Sequence, residues 1–290
     1  MRTAELRPLG IGETLDVAIR IYLTHWRTLL KLVAIVVVPV QALSILVSSS
    51  MFDSSLLTPT PPGSDASVPD ADSFGTLVAG TLLVFLIGQL GAIFATASCF
   101  RAISEAYMGR PSDWRDSIRV VRGRFASIVW VAFLAFLLAL LAAFLLILPG
   151  IWLWISWSVA IPALLVEGFR GRRALGRSFA LVRRHWWRVF GAIVLGGIVA
   201  SLVAGAFGAL LGIVLVTGAV DSEFLLLMID GTINTIAAVI TTPFSAALVV
   251  VIYYDLRVRK EGFDLELLAQ GVGIEPSPNP GGSPSPSDPV

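Results

Sequence analysis

The chain has 290 residues, 56% of them hydrophobic and only 14% charged, with a net charge of +1 and a mean hydropathy of +0.84. This excludes an ordinary soluble domain, which needs more charge to cover its surface, and points to a chain that lipid covers. The balanced charge gives no global attraction to nucleic acid, and the lone Cys99 rules out an intrachain disulfide framework or a cysteine metal site.

The N-terminal stretch LGIGETLD, residues 9 to 16, reads as a helix start with Thr14 as N-cap. A phosphate loop would need a preceding strand, and none is present. Arg2, Glu5, Arg7, Glu13, Asp16, Arg20 and Arg27 crowd the first 27 residues without an A-x-A-like site, so no cleaved signal peptide is expected. Apolar runs at 32–50, 74–100, 126–148, 189–220 and 231–254 are each long enough to cross roughly 30 Å of hydrocarbon as a helix. A sixth, 151–166, is short and follows Pro149-Gly150.

Charge placement decides in favour of the sixth crossing. With six spans, all 21 Lys and Arg fall in 1–31, 101–125, 167–188 and the segment from 255 onward, all on one side. The other side holds acids such as Asp53, Asp65, Asp70, Asp72, Asp221 and Glu223. The positive-inside rule then places both termini in the cytoplasm. Residues 51–73 read as an irregular external loop. Residues 1–268 form one membrane domain, and 269–290, rich in Pro, Ser and Gly, a cytoplasmic tail expected to be disordered.

Three segments align without gaps before spans one, three and five: LDVAIRIYLTHW from Leu15, WRDSIRVVRGRF from Trp114 and LGRSFALVRRHW from Leu175. Leu15, Ile19, Tyr22 and Trp26, with their equivalents Trp114, Ile118, Val121, Phe125 and Leu175, Phe179, Val182, Trp186, would share one narrow apolar stripe on each helix. Each copy is expected to lie in the membrane interface with its apolar face in the acyl boundary. Each should turn into the bilayer at a basic-aromatic pair: His25-Trp26, Arg124-Phe125, His185-Trp186. The expected fold is therefore all-α and polytopic, six transmembrane helices in three units of interfacial helix plus hairpin.

Chemistry is sparse. His25 and His185 are the only histidines, and neither has a metal or general-base partner at helical spacing. No H-E-x-x-H, G-x-S-x-G, C-x-x-C or P-loop motif occurs. Asp255 and Glu167, at span ends, could serve a membrane hydrolase but more naturally pair with nearby arginines. Arg172, Arg173, Arg177, Arg184, His185 and Trp186 are candidate lipid-headgroup or interface contacts. Gln89, Asn234 and Thr242 are candidate lining of a cavity between the repeats. Small residues Gly197, Ser201, Gly205 and Ala209 form a ridge in the fifth span. No cofactor is implied.

Three motifs together carry a resemblance: LRPLGIGETLDVAIRIYLTHW, PALLVEGFRGRRALGRSFALVRRHWWRVFG and YYDLRVRKEGFDLELL. Over roughly residues 5 to 268 the chain resembles actinobacterial membrane proteins related to the glycerophosphoryl diester phosphodiesterase membrane domain. The resemblance implies a multi-pass plasma-membrane protein. The soluble barrel of multidomain relatives, with its catalytic histidines and metal-binding acids, has no counterpart here, so no hydrolytic activity is carried over. The expected role is a non-enzymatic membrane-embedded accessory or scaffold, associated with membrane lipids and other membrane proteins. The alternative is a transporter or lipid-handling protein.

Overall fold

The computed structural model describes residues 9–51, 71–110, 113–217, 220 and 222–262. The tail expected at 269–290, and most of the loop expected at 51–73, lie outside the described residues. Within them the chain is all-helical: α1 Ile11–Met51, α2 Ala71–Tyr107, α3 Trp114–Leu145, α4 Ile147–Ser156, α5 Ala160–Glu167, α6 Arg172–Val182, α7 Trp186–Thr217 and α8 Glu223–Glu261. Helices α4 and α5 together make one crossing-length segment, Ile147–Glu167. Among the described residues, six segments are therefore long and apolar enough to span a membrane.

The short fourth segment is broken rather than continuous. Trp157 and Val159 leave helical geometry, and the Ser158 hydroxyl donates to the Ile155 carbonyl at 2.8 Å beside the break. Pro162 sits in the first turn of α5, where its missing N–H removes no helical bond. At the other end of the segment, a Cβ on Gly150 would lie 2.5 Å from the Ala143 Cβ and 2.7 Å from its Cα. Only glycine lets α3 and α4 approach this closely.

Helix α8 is the centre of the bundle. It packs against α1, α7 and α2 along its length and against α5 and α6, and Tyr253, Tyr254, Val250 and Val251 on it are fully buried. Helix α7 lies at the edge, exposing Leu195, Ile198, Leu202 and Leu210. In a bilayer such apolar surface is what the acyl chains cover.

Two expectations about the aligned segments are corrected. The first and third copies do bend at their histidine: His25 has φ −113° and ψ 17° inside α1, and residues 183–185 interrupt the path from α6 to α7. The second copy does not bend, since α3 runs unbroken through Arg124 and Phe125. Arg124 instead reaches across to donate to the Leu164 and Leu165 carbonyls at 3.3 and 3.4 Å. There it joins the Gly168 N–H on the Leu164 carbonyl, reaches the Leu165 carbonyl near the C-terminus of α5, and complements the helix dipole.

The buried face takes in part of the expected stripe and extends about one residue beyond it. Val121, Leu175 and Val182 of the stripe are buried, together with Thr14, Ala18 and Ile21 in the first copy, Ser117 in the second, and Ala174, Ser178 and Leu181 in the third. Trp26 is exposed. Ala18, Ser117 and Ser178 occupy equivalent places, and being small they let backbones approach closely. Large apolar side chains are as well accommodated by lipid as by protein, so hydrophobicity alone does not mark the packed face. Thr14 is likewise not an N-cap: α1 begins at Ile11, and the Gly10 N–H donates to the Glu13 carboxylate at 2.6 Å.

Candidate functional site

The polar groups of the fold gather where the C-terminal end of α8 meets the α5–α6 turn and the α6–α7 elbow. Glu167 closes α5, and Arg177 of α6 grips it with two hydrogen bonds, Nε to Oε2 at 2.6 Å and Nη2 to Oε1 at 3.1 Å. The Tyr253 hydroxyl donates to the same Oε1 at 2.6 Å. Arg177 also pairs with Glu261, and Arg257 joins Glu261 at 3.1 Å. The Arg177 guanidinium is held above the ordinary arginine range by its bond to Glu261 first and, against the opposing effect of burial, by Glu167. Glu167 thus accepts three hydrogen bonds, two from Arg177 and one from Tyr253, of the roughly four a carboxylate can take.

Asp255, only 5% exposed, organises a second cluster. Its Oδ2 meets Arg259 Nε at 2.9 Å and Arg188 Nε at 3.5 Å. Its Oδ1 accepts the Leu9 N–H at 2.8 Å, and Arg259 Nη2 donates to the Leu9 carbonyl at 2.8 Å. One Asp-Arg pair at i, i+4 on α8 therefore takes both backbone groups of Leu9. Lys260 donates to the Ala180 carbonyl and ties α8 to α6.

The α6–α7 elbow lies against this cluster. His185 Nδ1 and Arg188 Nη2 are buried atoms with no hydrogen-bond partner among the described residues. Burial, followed by the positive charges of Arg259 and Lys260, lowers the His185 pKa from its ordinary 6.5, while Asp255 opposes the shift. Trp186 donates its indole N–H to the Trp152 carbonyl at 3.1 Å and stacks on Phe190 with centroids 5.2 Å apart. The Ser178 hydroxyl donates to the Ser156 carbonyl at 2.8 Å, and Phe179 meets the edge of Trp152 at 5.3 Å. The apolar face of α6 is thus covered largely by α4, α5 and α8, which corrects the expectation that it lies in the acyl boundary. Amphipathic periodicity shows that a face is covered, not what covers it.

The candidate headgroup residues separate into three groups. Arg177 is committed to Glu167 and Glu261. Trp186 and His185 are half-buried parts of the elbow, with Arg184 exposed beside them. Arg172 and Arg173 are exposed, and with Arg170, Gly168 and Phe169 they line a crevice of about 480 Å³.

The candidate cavity residues do not converge. Gln89 is exposed, and Asn234, also exposed, turns back to Asp230, donating to its carboxylate at 2.7 Å. Thr242 does line a lateral crevice of about 390 Å³ between α2, α7 and α8, together with Thr96, Ser201, Thr241 and Ser245. Among the described residues no three of His, Cys, Asp and Glu gather closely enough to hold a metal ion.

Comparison with protein-family models, curated proteins and solved structures gives no match to the chain. Sequence reasoning missed Tyr253, Arg257, Arg259 and Glu261 as members of the site. The i, i+4 pairs Asp255-Arg259 and Arg257-Glu261 were the available signal.

Proposed function

We propose that the protein is a multi-pass plasma-membrane protein with both termini in the cytoplasm, acting as a non-enzymatic, lipid-associated accessory or scaffold. Its partners are membrane lipids and other membrane proteins, with no role for nucleic acid. The observation that carries this reading is the engagement of Glu167 and Asp255, each held by arginine and by a further hydrogen bond. Carboxylates so engaged stabilise a junction but are poorly placed to abstract a proton. The basic residues at this end of the bundle fit the cytoplasmic leaflet.

The three aligned segments support descent from one repeated unit, two of whose copies bend at the equivalent histidine. We place the chain with the membrane portion of the glycerophosphoryl diester phosphodiesterase membrane-domain proteins, on the strength of its three sequence motifs. The test is turnover: purified protein with glycerophosphodiesters and divalent metal should release no product. Metal-dependent hydrolysis lost in His185→Gln would end the non-enzymatic reading.

A second reading, lipid handling or transport, draws on the lateral crevice that Thr242 lines. It predicts lipid scrambling or solute flux in proteoliposomes that falls in Thr242→Leu. Equal rates in the two proteins, or none in either, count against it.

A further inference from the structure

Arg177, Arg257 and Arg259 near the C-terminal end of α8 each have a carboxylate partner, whereas three arginines at the α5–α6 turn have none among the described residues. Arg170, Arg172 and Arg173 are exposed and line the crevice of about 480 Å³, and among the described residues none of them makes an ion pair or a side-chain hydrogen bond. Three guanidinium groups in four residues repel one another unless an anion sits between them.

The turn that carries them is held in place from several directions. Gly168 ends α5 with φ 76°, and Gly171 precedes α6 with φ 55°, a backbone that side-chain-bearing residues rarely adopt. Phe169, between them, packs on the hydrophobic core. The Glu167–Arg177 pair fastens the two helices on either side. An arrangement fixed in this way has less ordering entropy to lose when a ligand arrives.

The chemistry of the crevice favours one class of ligand. Guanidinium groups match the oxygens of a phosphate with paired, charge-assisted hydrogen bonds. Gly171 offers no side-chain acceptor to the first turn of α6, so that turn adds its open N–H groups to the same region. The Trp130 ring lies 3.9 Å from where a Cβ on Gly171 would stand. Tryptophan is enriched at headgroup depth in membranes, which fits a crevice near lipid phosphates.

We propose that Arg170, Arg172 and Arg173 form a binding site for a phosphate group, carried by an anionic phospholipid headgroup or by a small soluble phosphate compound. The site rests on the lipid-associated reading and names the chemistry by which lipid is held. Arg177, although a candidate by sequence, serves as a brace for the turn rather than as a ligand.

The experiment titrates full-length protein in mild detergent with short-chain phosphatidic acid, short-chain diacylglycerol and inorganic phosphate. Phosphatidic acid should bind, diacylglycerol should not, and R170Q/R172Q/R173Q should weaken phosphatidic acid by at least about tenfold. The variant R170K/R172K/R173K keeps the charge and should still bind measurably less well, because the planar forks are lost. An equal charge removed from the start of α3, R115Q/R119Q/R122Q, should leave affinity unchanged. Tight binding of inorganic phosphate alone assigns the site to a soluble phosphate compound, and preference for phosphatidic acid assigns it to lipid.

The proposal is overturned if the glutamine variant binds as the parent does, if the α3 variant loses as much, or if the lysine variant loses nothing. Failure here is distinct from failure of the scaffold reading. A protein without phosphate binding and without turnover loses only this site, whereas turnover of glycerophosphodiesters ends the scaffold reading and leaves the arginine-dependent titration intact.

Discussion

The Leu9 N–H donates to Asp255 Oδ1 at 2.8 Å across 246 residues of sequence, and so ties the start of the described chain to the end of its central helix. Arg259, one turn further along α8, closes the clasp on the Leu9 carbonyl. Asp255 also neutralises Arg188 at the foot of α7, so one nearly buried carboxylate joins three parts of the fold.

Replacing that carboxylate should be costly. Asp255→Ala leaves Arg259 and Arg188, both largely shielded, without their anion, and breaking a buried pair from one side costs about 3 kcal/mol. Thermal unfolding in mild detergent should show a lower midpoint for Asp255→Ala than for Asp16→Ala, whose pair with Arg20 is exposed on both sides. Equal midpoints would contradict the clasp.

The Glu167 junction predicts an order of effects. Tyr253→Phe removes one hydrogen bond to a charged group, a loss of about 2 kcal/mol. Arg177→Ala removes two hydrogen bonds from Glu167 and the closer ion pair of Glu261, leaving Arg257 as their remaining shared cation, and should unfold at a lower temperature than Tyr253→Phe. The reverse order would mean that the hydroxyl, not the guanidinium, holds α5 to α6.

The elbow histidine makes stability depend on pH. Because the folded state lowers the His185 pKa below 6.5, the unfolded chain binds a proton more readily than the folded one. His185 therefore contributes nothing above that range and destabilises the fold as pH falls below about 6.5. The groups that bear on it are Arg259, Lys260 and Arg188, which favour the neutral ring, and Asp255, which opposes them. Unfolding midpoints at pH 7.5 and 5.5 should fall more in the parent than in His185→Gln, and parallel falls would remove the effect.

Much of the architecture was legible in the sequence because membrane crossings are local signals. Six crossings follow from apolar runs and from the placement of arginine, and the elbow at His185 from the aligned segments. The break at Trp157–Val159 and the straight path through Arg124 were not legible, since both depend on the hydrogen bonds that neighbouring helices offer. The packed faces hold Val121, Leu175 and Val182 of the expected stripe but extend to Ala18, Ser117 and Ser178, which are small rather than strongly apolar. The Leu9 clasp pairs backbone atoms with side chains across the whole chain, for which periodicity carries no signal.

Two glycines separate close packing from open surface. Gly150→Ala forces a methyl group onto the backbone of Ala143 and should cost about 1 to 3 kcal/mol by overpacking. Gly197, part of the expected small-residue ridge on α7, has nothing within 4 Å of where a Cβ would stand, so Gly197→Ala should leave the unfolding midpoint unchanged or raise it slightly. A drop at Gly197 as large as that at Gly150 would show that a partner helix covers α7.

The proposed role depends on which side of the membrane holds the arginines, and one labelling experiment tests that topology most directly. Cys99 is completely buried, so Arg173→Cys introduces a single accessible thiol into an otherwise silent background. A membrane-impermeant maleimide should leave that thiol unmodified in intact cells and label it once the membrane is opened from the cytoplasmic side. Labelling in intact cells would place the arginine-rich turn outside and contradict the six-span arrangement with its cytoplasmic basic face.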